Sequence, residues 1–181
     1  MSKLILYIAI SLDAFIAPLD GSVTWLEDFS NPEDDYGYRK FYNGIGTLIM
    51  GANTYDQILS FGEWPYAPKL SYVLSSSERP TPDNAEVRFF SGEVQNLLSW
   101  LKGRSDQDIW LLGGGDVNSQ FIGQGLVDEY IISIMPVFLG SGIPLIRDIP
   151  GQSLKLLSTT TYPNGVVQQH YTTRPAPDPS L

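Results

Sequence analysis

Three consecutive glycines, Gly113, Gly114 and Gly115, follow the apolar run "IWLL" and precede a stretch with helical spacing. Glycine lets the backbone turn sharply and lets another molecule approach the main chain closely. A helix that begins here would present free backbone N–H groups, to which a pyrophosphate can bind. The run lacks the lysine and Ser/Thr of a Walker motif, so it does not indicate phosphoryl transfer. The alternative is a tight strand-to-helix turn capped by Asp116.

Two further strand ends carry groups that could meet an anion. In "LIMGANTYDQI" a strand ends at Gly51, and Asn53 or Thr54 could cap the helix that follows. In "SYVLSSS" a strand ends at Ser75, whose hydroxyl could hydrogen-bond a phosphate. Each junction also has a purely structural interpretation, a helix cap in the first case and the start of a polar loop in the second.

Two adjacent acids, Asp34 and Asp35, lie in "NPEDDYGYRKF". A carboxyl group in an apolar pocket has a raised pKa, which suits it to donate protons or hydrogen bonds near neutral pH. The helix dipole also favours acids at a helix start, with no catalytic role. The chain has one histidine, His170, and no cysteine, so the sequence predicts no metal site.

The elements that must position these residues follow from the hydrophobic pattern. Strands are predicted over 4–10, 47–50, 71–75, 86–90, 109–112, 128–135, 154–162 and 166–173. Helices are predicted over 33–43, 53–60, 93–102 and 116–124. Continuously apolar strands that alternate with helices indicate a mostly parallel α/β sheet covered on both faces. The turn "PNG" between the last two strands predicts an antiparallel hairpin.

Composition limits the classes of partner. With 181 residues, the chain is predicted to form one domain over 1–173, followed by a proline-rich, disordered tail over 174–181. A net charge of -9 makes nucleic acids and anionic membranes poor partners. The apolar run at the N-terminus is too short to span a bilayer and is interpreted as a buried strand. The absence of cysteine excludes disulfides, and a cytoplasmic location is expected.

Taken in order, five stretches resemble the motifs of the dihydrofolate reductase-like superfamily: "ISLDAFIAPLDGSVTW", "MGANTYDQI", "VLSS", "LLGGGDVNSQFI" and "GLVDEYIISIMPVFLGSGIPL". Within it, "ISLD", "GLVDE" and "PVFLGSGIPL" are most similar to the C-terminal reductase domain of the bacterial riboflavin-biosynthesis deaminase-reductase and its stand-alone relatives. The resemblance extends from Lys3 to Thr172. It implies a three-layer fold around an eight-stranded sheet, NAD(P)H-dependent reduction of a small heterocyclic substrate, and a homodimer.

The resemblance also implies roles for individual residues. The implied cofactor contacts are Ala9, Ile16, Gly51, Asn53, Thr54, Ser75, Gly113, Gly114, Gly115 and Val117. Gly21 and Ser22 would belong to a mobile loop over the nicotinamide, and Trp25 would line the substrate site. The substrate-facing acid of the fold maps to Asp35, with Asp34 as the competing position. A cis peptide typical of the fold is expected at Gly114–Gly115 or at the pair before it.

Two departures from the family pattern concern the cofactor. An arginine that commonly contacts the 2'-phosphate of NADPH is replaced by Ala52, and Asp116 stands where another arginine often follows the glycine run. NADPH is the expected cofactor, with NADH left open, and Lys69, Arg79 or Arg88 could compensate. Within the enzyme class, the aminopyrimidine reductase of riboflavin biosynthesis ranks above a true dihydrofolate reductase. A binding protein that retains the nucleotide but has lost the chemistry is the alternative from another class.

Overall fold

The computed structural model describes residues 2–30 and 34–173. Its strands are β1 (Leu4–Ser11), β2 (Phe15–Ala17), β3 (Ile45–Gly51), β4 (Leu70–Leu74), β5 (Val87–Phe90), β6 (Asp108–Gly113), β7 (Glu129–Met135), β8 (Ile143–Pro144), β9 (Leu154–Thr161) and β10 (Val167–Thr173). Its helices are α1 (Tyr38–Gly44), α2 (Ala52–Ser60), α3 (Val94–Lys102) and α4 (Gly115–Gly123), with a 3-10 helix over Thr24–Phe29. The predicted tail over 174–181 lies outside the described residues and stays a prediction.

Eight of the strands form one sheet in the order β5-β4-β3-β6-β1-β7-β10-β9. The pairs from β5 to β7 are parallel, and β10 runs antiparallel to both β7 and β9. This confirms the predicted mostly parallel sheet that ends in a hairpin. β1 lies near the centre, where Leu4 is paired with Ile109 of β6 and Ile5 with Glu129 of β7.

Alternating side chains of the sheet supply two hydrophobic clusters, one on each face. On one face, Leu4 and Leu6 of β1 pack with α3 and α4. On the other, Tyr7 stacks on Phe41 of α1, beside a cluster that includes Tyr55 of α2 and the buried Trp64. The apolar residues predicted to face the core on the helices over 93–102 and 116–124 are buried, as with Leu97 and Phe121. Helices on both faces are therefore confirmed.

The helix predicted over 33–43 was placed too early. Residue 33 lies outside the described residues, and α1 begins only at Tyr38. Tyr36 and Gly37 both have positive φ, at 55° and 79°, which a right-handed α-helix does not admit. The chain therefore turns before the helix begins.

A cluster of charged side chains ties three adjacent strands together at the end of the sheet where β1 begins. Glu129 Oε1 is 2.5 Å from Lys3 Nζ, and Glu129 Oε2 is 2.9 Å from His170 Nε2. Burial raises the pKa of the Glu129 carboxyl, but hydrogen bonds from Lys3 and His170, together with their charges, outweigh burial and hold it below its usual range. Because the folded-state pKa is lowered, this stabilisation is present above the ordinary glutamate pKa and is lost as pH falls through the lowered value.

Replacing Glu129 with glutamine is expected to lower the free energy of unfolding by about 1 kcal/mol near neutral pH, because a charge-assisted pair is lost. At about pH 4 and below, the difference from wild type should shrink, since the carboxylate then becomes protonated. Urea unfolding across this pH range measures it. Glu86→Gln is the control: Glu86 pairs with Arg88 on the exposed surface and should have little effect. An equal loss of unfolding free energy in both variants at neutral pH would contradict a stabilising role of the Glu129 pairs.

Candidate active site at the carboxyl edge of the sheet

The glycine run and the "MGANTY" stretch meet at one edge of the sheet. β3 and β6 are neighbours and parallel, so the junctions that follow them lie side by side. The Gly114 N–H donates to Thr54 Oγ1 at 3.0 Å, and a Cβ built on Gly51 would come within 2.9 Å of Val117 Cγ2. The cis peptide is at Gly113–Gly114, the earlier of the two expected pairs. The structure therefore brings both predicted junctions together.

Both helices that leave these junctions lack a side-chain cap. The N-cap residue is Gly51 for α2 and Gly114 for α4, and neither helix has a side-chain hydrogen bond at its cap. Capping by Asp116, Asn53 or Thr54, which the sequence left open, does not occur. First-turn N–H groups without such a cap are available to a phosphate.

A second, two-stranded sheet brings Ile16 to the same place. β2 pairs with β8. β8 lies against the start of α4, where a Cβ on Gly115 would stand 2.5 Å from the Pro144 carbonyl oxygen. Asn118 Nδ2 donates to the Leu145 carbonyl at 3.2 Å and so fixes this segment. A Cβ on Gly114 would stand 3.9 Å from Ile16 Cδ1, so β2 contributes a wall beside the glycine junction.

The loop between β2 and the 3-10 helix is fastened to α2. Gln57 Nε2 donates to the carbonyl of Gly21, which has a φ of +81°. Asp20 Oδ1 accepts the Ser22 N–H at 2.9 Å, and Ser22 Oγ lies 2.9 Å from Thr24 Oγ1. The predicted loop residues Gly21 and Ser22 are thus held over α2, the helix that begins after Gly51. Sequence reasoning gave Gln57 no role, although it lies within "MGANTYDQI", because only the path of the loop brings its partner Gly21 to it.

Of the three cationic side chains considered as replacements for the missing arginine, one lies at this edge. Arg79 donates to Ser75 Oγ, just after β4, and to the Ser77 carbonyl at 3.2 Å. Its Nε also lies 2.8 Å from Asp56 Oδ1 on α2. Its side chain is 23% exposed. Lys69 donates to the Ile45 carbonyl at the opposite end of β3, and Arg88 pairs with Glu86 on the edge strand.

A row of side chains crosses the sheet beside the junction, on the face that carries α1. Ala9 of β1 is in register with Ser133 of β7, which is in register with Gln168 of β10. Gln168 Nε2 donates to Ser133 Oγ at 3.1 Å and to the Tyr36 carbonyl at 3.0 Å. Tyr7, two residues before Ala9, donates to the same carbonyl at 3.0 Å. Burial raises the pKa of Tyr7 to about 12, so its hydroxyl stays protonated. Tyr7, Ser133 and Gln168 therefore form a polar but uncharged surface, which we call the polar floor.

Residues 2–168 match the family model of the RibD C-terminal domain. The chain belongs to the RibD C-terminal domain family. The family inferred from the motifs is therefore confirmed. The chain is 36% identical to the uncharacterized protein YwjB of Bacillus subtilis over 170 residues, which cover 93% of this chain and 97% of YwjB.

Solved structures of the family share the fold. A putative riboflavin biosynthesis protein from Shewanella sp. PV-4 is 28% identical, with a TM-score of 0.86, and the match covers 96% of this chain and 99% of that one. A diaminohydroxyphosphoribosylaminopyrimidine deaminase/5-amino-6-(5-phosphoribosylamino)uracil reductase from Thermotoga maritima is 16% identical, with a TM-score of 0.71. That match covers 96% of this chain and 57% of the Thermotoga chain, and it shows the likeness of fold alone.

In this RibD-type domain, the two adjacent acids precede α1 and accept backbone hydrogen bonds. Asp35 Oδ1 accepts the Gly37 N–H at 3.0 Å, and Asp35 Oδ2 accepts the Arg39 N–H at 2.9 Å. The Asp35 side chain is 39% exposed and lies 3.6 Å from Arg39 Nε. Asp34 Oδ1 accepts the Tyr36 N–H at 2.9 Å. Both acids shape the turn that carries Tyr36 to the polar floor, and the Asp35 charge helps to raise the pKa of Tyr7.

The remaining substrate-site prediction is Trp25, which lies on the 3-10 helix directly after the loop. Its Nε1 is buried and has no hydrogen-bond partner among the described residues.

Within 2–30 and 34–173, no three His, Cys, Asp or Glu side chains group so that they could hold a metal ion. None of the helices over the same residues is both long and apolar enough to cross a membrane.

Proposed function

We propose that this protein is an NADPH-dependent reductase of a small heterocyclic substrate. The observation that carries the proposal is the pair of uncapped helix starts at Gly51 and Gly114, joined through Thr54, at the edge of a RibD-type sheet. Backbone N–H groups arranged in this way suit a pyrophosphate. Bound NADPH supplies a hydride for a polarised C=N or C=O carbon, and the protein supplies binding and orientation.

Different residues of the chain bind the pyrophosphate, the substrate ring and the 2'-phosphate. The backbone N–H groups at the glycine junction bind the pyrophosphate, and Ile16 with the loop at Gly21 excludes water on one side. Gln168 and Ser133 form a floor that orients the substrate through hydrogen bonds, and a neutral floor favours a neutral ring. Arg79, beside Ser75, supplies the positive charge for a 2'-phosphate.

The proposed substrate class is that of 5-amino-6-(5-phosphoribosylamino)uracil, the compound in the name of the Thermotoga protein. The family membership and the shared fold support this choice. A homodimer and a cytoplasmic location stay predictions, and sedimentation of the purified protein tests the first of them.

A titration of intrinsic tryptophan fluorescence with NADPH and with NADH tests the cofactor. Trp25 follows the loop over the junction, so cofactor binding should change its emission. We expect micromolar binding of NADPH and weaker binding of NADH. A flat response to both nucleotides would refute the reductase and leave the glycines as a structural turn. Binding without oxidation of NADPH, with either 5-amino-6-(5-phosphoribosylamino)uracil or dihydrofolate as substrate, would favour the binding protein instead.

Replacing Asp35 with asparagine is expected to reduce turnover at least tenfold while NADPH affinity is unchanged. Asparagine keeps one acceptor oxygen for either the Gly37 or the Arg39 N–H and loses the other, so the start of α1 should be weakened but should persist. The rate of NADPH oxidation and the fluorescence titration together measure the two effects. Asp34→Asn is the matched control and should retain turnover. If Asp35→Asn is as active as wild type, the carboxylate serves only the helix start.

A further inference from the structure

Gln168 is the member of the polar floor whose hydrogen bonds leave one group unused. Its Nε2 carries two hydrogens and donates two hydrogen bonds, to the Tyr36 carbonyl at 3.0 Å and to Ser133 Oγ at 3.1 Å. A backbone carbonyl only accepts, so the nitrogen of the amide must face Tyr36, and this partner fixes the orientation of the amide. The donors of Gln168 are therefore consumed within the protein, and its remaining group is an acceptor, Oε1.

Gln168 Oε1 is open to a ligand. It accepts no hydrogen bond from the described residues, and it is not among the enclosed side-chain oxygens that lack a partner there, so solvent reaches it. Thr160 of β9 is the register partner of Gln168, and its exposed side chain lies on the same face of the sheet. Because the Thr160 hydroxyl can also accept, a ligand on the floor meets two acceptors on neighbouring strands.

Acidic side chains act on this end of the floor. Burial and, to a smaller extent, the charge of Asp35 raise the pKa of Tyr7. Burial, together with the charges of Asp34 and Asp35, raises the pKa of Tyr162, directly after β9. The Arg39 side chain lies 3.6 Å from Asp35 but is 87% exposed, so water screens its charge. A group with a partial positive charge is therefore favoured next to the floor, and an acceptor is disfavoured.

We infer that Gln168 is a specificity-determining residue whose Oε1 accepts a hydrogen bond from an exocyclic amino group of the substrate ring, with Thr160 Oγ1 available to the second hydrogen of that group. The site then prefers amino-substituted pyrimidinones to analogues with a methyl or an oxo group in the same place. An analogue that covers Gln168 Oε1 without an N–H leaves this acceptor unpaired. The choice of ring rests on the proposed function, because the contact belongs to the substrate end of the same site.

Two probes of nearly the same shape test this contact on the full-length protein. 6-Aminouracil and 6-methyluracil differ only by an amino group in place of a methyl group. By ligand-observed NMR we expect wild type to bind 6-aminouracil about three- to tenfold tighter, which is the value of one neutral hydrogen bond. In Gln168→Met, which keeps the length of the side chain without its oxygen, the two affinities should become equal. Gln168→Asn, which withdraws the oxygen by one methylene, should have the same effect.

Tyr7→Phe is the matched control for the structural role of Gln168. It removes the other side-chain hydrogen bond to the Tyr36 carbonyl and leaves Gln168 Oε1 in place. The preference for 6-aminouracil should therefore remain in Tyr7→Phe. Thermal unfolding of each variant confirms that it is folded, so that a lost preference is not a lost structure.

Three results would overturn the inference. The first is wild-type protein that binds neither probe up to its solubility limit, or binds both equally. The second is a preference that survives in both Gln168 variants, because another acceptor then contacts the amino group. The third is loss of the preference in Tyr7→Phe as well, because Gln168 then acts through the turn at Tyr36. Neither probe requires NADPH, so a preference that depends on Gln168 in a protein that binds no NADPH would refute the reductase and support the ring contact.

Discussion

Gly115→Ala is expected to lower the free energy of unfolding by about 3 kcal/mol and to weaken dinucleotide binding strongly. The new Cβ would stand 2.5 Å from the Pro144 carbonyl oxygen and 3.4 Å from Ile143 Cγ2. The nearer atom belongs to backbone, so no side-chain rotation relieves the overlap. Either β8 must move or α4 must begin differently. Urea unfolding and the fluorescence titration measure the two effects.

Backbone on both sides of this contact is already anchored. The Leu145 N–H donates to the Ala14 carbonyl at 3.0 Å, and Asn118 Nδ2 donates to the Leu145 carbonyl. A shift of β8 that relieves the overlap therefore breaks these two hydrogen bonds. Gly44→Ala is the matched control, because a Cβ there meets nothing within 4 Å, and its stability should stay within about 0.5 kcal/mol of wild type. Equal stability of the two variants would contradict the close approach at Gly115.

Arg79→Ala should reduce NADPH affinity about thirtyfold and leave NADH affinity unchanged. This expectation rests on the proposed cofactor. The guanidinium is held beside Ser75 by hydrogen bonds and by Asp56, so it is ordered before any ligand arrives. Charge-assisted hydrogen bonds to a phosphate are worth about 1.5–3 kcal/mol, and each 1.4 kcal/mol is a factor of ten in affinity. Parallel titrations with the two nucleotides give the ratio.

Two further variants sharpen that experiment. Arg88→Ala removes a cation that pairs with Glu86 on the edge strand and should change neither affinity. Asp56→Asn removes the carboxylate that competes for the same guanidinium and should strengthen NADPH binding. An equal loss of NADPH and NADH affinity in Arg79→Ala would mean that Arg79 supports the local fold instead of the 2'-phosphate.

The sheet was predictable from sequence because its strands are apolar runs of four to eight residues separated by helical or turn sequence. Each of the eight predicted strands is present, and the hairpin signal "PNG" correctly gave the antiparallel end. β2 and β8 were missed because they have three and two residues, too few to show an alternating hydrophobic pattern. Contacts between distant segments stabilise them, as where Phe15 is in register with Pro144. The late start of α1 depends on two positive φ angles that composition does not reveal.

For the candidate site, motifs located the backbone better than the side chains that surround it. The glycine junctions could be predicted because strand, glycine and helix follow one another locally. The hydrogen bond of Thr54 to Gly114 joins residues that only the sheet order brings together. Gln57 and Ser133 lie within quoted motifs that give them no contact, and Gln168 lies outside the motifs, so the contacts of all three depend on register and loop path. The substrate-facing role that the family spacing implies for Asp35 stays a prediction, and the groups that Asp35 bonds follow from the turn at Tyr36.

The position of β1 has a consequence for how the chain folds during synthesis. Its neighbours in the sheet are β6 and β7, so the partner of Leu4, Ile109, comes more than 100 residues later. β1 therefore leaves the ribosome long before β6 and β7, and it waits unpaired, with its apolar side chains exposed, until they have been made. Closing such a long loop is slow, and the waiting strand is prone to pair with other chains. The β3-β4-β5 unit, whose pairings are local, can form first and offer its free edge to β6.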